Sequence, residues 1–209
     1  EAIYYQRNVS KEAVFTNEKI AEQLQDDCVT WLYRLLFLFY VEARGSELDV
    51  VPMKSTAYRK GYSLEGLRDL ELVALTTEKA RNGYYLDASL RQLFKIVNQG
   101  YGGRNEDKNA TASFSAFGSE PSLEVHALAS PLFDDGRLQI LKGIKFRNSV
   151  LQQILQNLSL SAEKGGKKRG RISYAQLGIS QLGSVYESLL TYTGFFAQEA
   201  DGLYEVAAK

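Results

Sequence analysis

From Trp31 to Gly45 the chain reads Trp-Leu-Tyr-Arg-Leu-Leu-Phe-Leu-Phe-Tyr-Val-Glu-Ala-Arg-Gly, and Arg34 is its only charge before Glu42. A helix apolar on every side belongs in a protein core or a membrane. A bilayer span needs about 20 apolar residues. This run is shorter and predicts the central helix of a folded domain, with Gly45 as its C-terminal stop. Upstream, Ser10 to Gln25 predicts a separate helix, N-capped by Ser10, with Ala13, Val14, Ile20, Ala21 and Leu24 on its apolar face. Asp26 and Asp27 then mark the start of the central helix, where carboxylates suit the dipole.

Ser46 to Lys60, with Pro52, predicts a loop. Glu65 favours a helix start, and Leu64, Leu67, Leu70, Leu72 and Val73 extend a stripe to Leu75. Gly66 stands three residues after Ser63, so a full capping box is absent. Asn82-Gly83 predicts a turn. Ala88 to Asn98 predicts an amphipathic helix buried through Leu90, Leu93, Phe94 and Val97. Gly100 to Asn109 predicts an exposed loop. Thr111 to Leu141 loses the helical period, since Phe114, Phe117 and Val125 sit among small and polar residues broken by Pro121 and Pro131. Irregular structure is expected there, with a short hairpin near Asp135-Gly136. Asn148 to Leu160 predicts a helix through Val150, Leu151, Ile154, Leu155 and Leu158. Lys164 to Arg171 predicts a Gly/Lys/Arg linker. Ser180 to Leu190 predicts a last helix, with Leu182, Val185, Tyr186, Leu189 and Leu190 facing inward.

The expected fold class is mainly α: a multi-helix domain with a small irregular or β-containing insertion. Its parts are an N-terminal helical part (1–110), the insertion (111–145) and a C-terminal helical part (146–209). No repeat recurs at a fixed period.

Composition narrows the chemistry. The chain has 209 residues, 44% of them hydrophobic, enough for a folded core. Lys plus Arg equals Asp plus Glu at 25 each, so nucleic-acid contact would come from a local patch. Cys28 and His126 are the only residues of their types, which excludes an internal disulfide and a Cys- or His-rich metal site. The setting expected is cytoplasmic, without a membrane partner. The absence of an initiator Met and of a signal-peptide pattern reads as a piece cut from a longer protein.

Among candidate sites, the run Lys164, Lys167, Lys168, Arg169 and Arg171 is the strongest local charge and the expected DNA-binding element. Phosphate contacts need charge and reach but little shape. A solvated linker accounts for the same residues, because no aromatics interleave with them. Gly100-Tyr-Gly-Gly-Arg104 can approach a phosphate, but it matches neither a Walker A loop nor a dinucleotide fingerprint and reads better as a connection. Arg34, Glu42 and Arg44 border the apolar run, where intradomain ion pairing is the expected role. Glu47, Asp49 and Lys54 are the nearest approach to a metal-dependent nuclease grouping, and Glu205 with Lys209 imitates half of one. His126 lacks the partners for acyl transfer. Most of the Tyr and Phe residues fall on apolar helical faces and are expected in the core.

Four segments carry a resemblance: Leu32–Gly45, Tyr62–Leu70, Phe146–Leu155 and Ile172–Leu190. Their order resembles the helical region that precedes the catalytic domain in large adenine-specific DNA methyltransferases. These include single-chain type II restriction–modification enzymes and phage-defence methyltransferases. The likeness spans roughly residues 30–195 and is sharpest at Leu182-Gly-Ser-Val-Tyr-Glu-Ser-Leu-Leu190. The family's Asn/Asp-Pro-Pro-Tyr/Phe motif is absent, since Pro52, Pro121 and Pro131 are isolated, and so is its glycine-rich S-adenosylmethionine loop. The resemblance therefore implies a non-catalytic piece, with no catalytic, cofactor or metal residue. S-adenosylmethionine is expected in the missing methyltransferase domain. The partners implied are duplex DNA and that domain, because adenine methylation extrudes the base and needs a grip on the duplex. The competing classes are a protein–protein docking module and, at low weight, a metal-dependent nuclease.

Overall fold

The computed structural model describes residues 18–102, 123–161, 169–198 and 204–208. The protein is mainly α, as its periodicity predicts. Helix α1 (Glu18–Ala43) is the axis, about 39 Å long at 1.5 Å per residue. Trp31, Leu35, Leu36, Leu38, Phe39, Tyr40 and Val41 are all buried. Neighbours cover α1 on several sides, so an apolar run without a polar face is stable there.

The expected break at Asp26 and Asp27 does not occur: α1 runs straight through it, while residues 10–17 of the expected first helix lie outside the described residues. Asp27 faces inward, in one stripe with Leu24, Trp31 and Arg34. Its carboxylate accepts from the N–H groups of Gln139, Ile140 and Leu141 at 3.1, 2.6 and 2.8 Å. A buried carboxylate with three donors is a stable interior group, so no helix start is needed to account for it.

Gly45 does not terminate α1, which ends at Ala43; it opens the short helix α2 (Gly45–Leu48). A Cβ at Gly45 would stand 2.4 Å from Met53 Cγ, so this glycine is set by close packing. The expected loop over Ser46–Lys60 also holds α3 (Thr56–Gly61), N-capped where the Ser55 hydroxyl accepts from Tyr58 N–H at 3.4 Å.

The stripe from Leu64 to Leu75 yields only α4 (Leu64–Arg68), capped by Ser63 at Gly66 N–H. Beyond it the Leu70 and Val73 carbonyls each accept from Gln152 Nε2 at 2.7 Å. The α-helix gives way there to turns bonded three residues back, Leu70 N–H to Leu67 O, Glu71 N–H to Arg68 O and Val73 N–H to Leu70 O, beside these side-chain bonds, and Leu72 and Val73 are left exposed.

Helix α5 (Glu78–Asn82) ends at Gly83, in the expected turn. Helix α6 (Tyr85–Gln99) buries Leu86, Leu90, Leu93, Phe94, Ile96 and Val97, and α7 (Asn148–Ser159) buries Leu151 and Leu155. Helix α8 (Ile179–Leu190) buries Leu182 alone. Val185 and Leu190, expected inward, are exposed.

The insertion is irregular over its described part, 123–145. Tyr101 and Val125 form an isolated antiparallel bridge, followed by 3-10 turns at Pro131–Phe133, Asp135–Arg137 and Leu141–Gly143. No hairpin forms at Asp135-Gly136, because Asp134 accepts from Gly136 N–H and closes a tight turn instead. The hairpin lies at the C-terminal end, where β1 (Gly194–Gln198) pairs antiparallel with β2 (Tyr204–Ala208) and β1 packs on α1. One hydrophobic core draws side chains from all three expected parts. No helix among the described residues is long and apolar enough to cross a membrane.

Candidate nucleic-acid interface

The basic run leaves the C-terminal end of α7 and returns beside it. Ser161 N–H donates to Gly170 O at 2.8 Å and Ile172 N–H to Ser159 O at 2.7 Å, around an antiparallel bridge between Leu160 and Arg171. The two limbs are thereby closed into a stem. Lys164, Lys167 and Lys168 lie outside the described residues. Arg169 and Arg171 lie in the stem, and the fold employs both.

Arg169 donates from Nε to Ser161 O at 2.9 Å and from Nη2 to Leu160 O at 3.3 Å. It thus caps carbonyls at the negative end of α7, a favourable place for a cation. Arg171 reaches to α4. Its Nε donates to Glu71 Oε1 at 3.0 Å and its Nη2 to Asp69 Oδ1 at 3.1 Å and Arg68 O at 3.2 Å. Asp69 foremost, with Glu71 adding and burial opposing, holds this guanidinium above its ordinary pKa. Glu71 is fully buried, whereas Asp69 is 76% exposed along its side chain.

A second cation fastens the stem from inside. Arg68 donates from Nη2 to Ser159 O and Ile172 O, both at 3.3 Å, and from Nη1 to Glu65 at 2.8 Å. Its guanidinium lies 5.4 Å from the Phe39 ring centroid. Tyr174 stacks on Phe39 at 4.9 Å and donates its hydroxyl to Leu158 O. Arg68 and Glu71 lay inside the leucine stripe, so sequence reading missed their part in the stem.

The charges of α1 serve backbone capping more than ion pairing. Arg34 is wholly buried and donates to Leu132 O at 2.6 Å, Asp134 O at 3.1 Å and Asp135 Oδ1 at 2.6 Å. Arg44 pairs with Glu47 at 3.4 Å. Glu42 accepts from Leu64 and Glu65 N–H at 2.9 and 2.8 Å and from the Tyr58 hydroxyl at 3.0 Å. Burial, opposed by these three bonds, pushes its pKa up to about 7.

The remaining candidates disperse. Gly100 and Gly102 take φ of 78° and 79°, a left-handed conformation suited to glycine, and a Cβ on Gly102 would stand 2.2 Å from Leu123 O. Close backbone approach explains them, and Arg104 lies outside the described residues. Asp49 and Lys54 meet Glu124 and His126 around a surface cleft, while Glu47 is engaged by Arg44. Among the described residues no group of three His, Cys, Asp or Glu side chains is arranged to hold a metal. Glu205 pairs with Ala197 in the hairpin, and Lys209 lies outside the described residues. Compared with known families, curated proteins and solved structures, the chain matches none.

Proposed function

We propose that this chain is a non-catalytic helical segment of an adenine-specific, restriction–modification DNA methyltransferase, contacting duplex DNA through the loop 164–168. The observation that supports DNA contact is the closed stem, whose described limbs end at Ser161 and Arg169, on either side of the stretch of sequence that holds Lys164, Lys167 and Lys168. The resemblance of the four helical segments supplies the enzyme class. In this reading S-adenosylmethionine and the target adenine belong to an adjoining methyltransferase domain, and the setting is cytoplasmic.

Because Arg169 and Arg171 are engaged within the fold, the three lysines carry the phosphate contacts. Duplex binding is then expected to weaken with salt, with a log–log slope of about 0.9 per phosphate neutralised. Reversing Lys164, Lys167 and Lys168 to Glu should abolish most of that slope. Unchanged duplex affinity of the reversed variant at low salt would overturn DNA contact by this loop.

A second reading, docking of a protein domain without DNA contact, is favoured by one observation. Ile179 is 76% exposed, and Val185, Leu190, Tyr192 and Phe195 are exposed after it, along α8 and into β1. Ile179 and Leu190, eleven residues apart, fall on one side of α8, and exposed apolar side chains on a shared side suit an interaction surface.

A further inference from the structure

We propose that Tyr84 and Tyr85, with Lys145 beside them and Lys142 on the same segment, form a binding site for a single nucleic-acid strand, stacking an unpaired base and pairing its phosphates. Among the described residues, Trp31, Phe94 and Phe133 bury their rings. Tyr84 and Tyr85 are 43% and 62% exposed although they adjoin the buried Leu86 and Asp87 at the start of α6. The turn before α6 thus presents two neighbouring rings to solvent.

The platform is held firmly. Asn148 donates from its backbone N–H to Gly83 O at 2.8 Å and from Nδ2 to Ala80 O at 2.9 Å, and its Oδ1 accepts from Leu86 N–H at 3.0 Å. Phe146 N–H donates to Asp87 at 3.2 Å. A Cβ at Gly83 would stand 3.0 Å from Asn148 Nδ2, so glycine lets the two segments close. These bonds bring the segment 142–148 against the tyrosine turn.

That segment carries Lys142, Lys145 and Arg147 with no carboxylate. Lys142 and Lys145 are exposed, and Lys145 Nζ lies 5.9 Å from the Tyr84 ring centroid. Lys79 and Arg81 add exposed cations from α5. Of the nearby acids, Asp87 is buried and engaged by Arg91 at 2.9 Å, which leaves Glu78 as the exposed one on α5. Exposed rings beside the exposed Lys142 and Lys145 suit a polyanion with bare π-faces. Duplex DNA keeps its bases stacked, so the occupant these rings select is an unpaired strand. The site is independent of the loop 164–168.

The test is fluorescence anisotropy of a short labelled oligothymidine across a salt series. The expected result is binding that weakens with salt by about 0.7 in log–log slope per phosphate contact. Y85A should weaken binding about tenfold, Y85F should retain it, and K142E/K145E should lower the slope. Tyr85 is exposed, so an unchanged thermal midpoint will show that Y85A is folded. Y85A should still weaken oligothymidine binding about tenfold in a background with Lys164, Lys167 and Lys168 reversed, which separates this site from the duplex contact. Absence of binding by the wild type at low salt, or equal binding by Y85A, overturns the site. Capture of a polypeptide by this surface without oligothymidine binding does the same.

Discussion

At Glu42 a carboxyl group closed off from water faces two backbone N–H groups and one phenol. Burial favours the neutral form and the three donors favour the ion; burial prevails, so the folded pKa stands near 7 against an ordinary 4.5. The sign follows from linkage: between those values the folded protein keeps a proton that the unfolded chain has released. The stability this group contributes is therefore fully present below about pH 4.5 and is lost as pH rises through 7. The loss is on the order of 3 kcal/mol, from about 1.4 kcal/mol per unit. Urea denaturation at several pH values should show stability declining from pH 5 to 8, and E42Q should flatten that decline. An equally steep decline in E42Q would place the titration elsewhere. Glu42 was legible in the sequence as a charge at the end of an apolar run. Its actual partners were not, because Leu64 and Glu65 offer backbone atoms, which residue identity does not advertise.

Among the elements, legibility followed length and regularity. Helices α6, α7 and the apolar half of α1 were readable because a full stripe repeats over three turns or more, where burial outweighs local preference. The stretch after Arg68 was misread because a stripe of leucines implies helix only while the backbone carbonyls lack better partners, and Gln152 supplies them. The irregular insertion has no period to read. It is held by two buried charges seven residues apart on α1, Asp27 taking N–H groups and Arg34 taking carbonyls. This arrangement predicts that backbone capping, more than the ion pair, fixes the turn at 131–137. R34M should cost about 3 kcal/mol, by removing the donor to the Leu132 and Asp134 carbonyls and to Asp135 together. D135A leaves the wholly buried Arg34 guanidinium without its carboxylate but with both carbonyl acceptors, and should cost about 1–2 kcal/mol, less than R34M. Equal losses in the two variants, measured by urea denaturation, would make the ion pair the dominant restraint.

Across the whole molecule, the stem ties segments about a hundred residues apart, from α4 to the end of the basic run. The charges of that run were legible as a cluster. The anchoring of Arg171 was not, because Asp69 and Glu71 are remote in sequence. The anchoring has an energetic signature. Glu71 is buried and Arg171 is its cationic partner, so removing the arginine strands a buried charge, at a cost of about 3 kcal/mol or more. Neutralising Glu71 first should relieve most of that cost. A double-mutant cycle on R171M and E71Q should thus give a coupling above about 1 kcal/mol, with R171M milder in the E71Q background. D69N should couple to R171M far more weakly, since Asp69 meets solvent. Additive effects of R171M and E71Q would mean that the stem closes without this pair, leaving Arg171 available to phosphate. The cycle therefore decides whether Arg171 anchors the stem or is free to join the DNA contact proposed for the lysines.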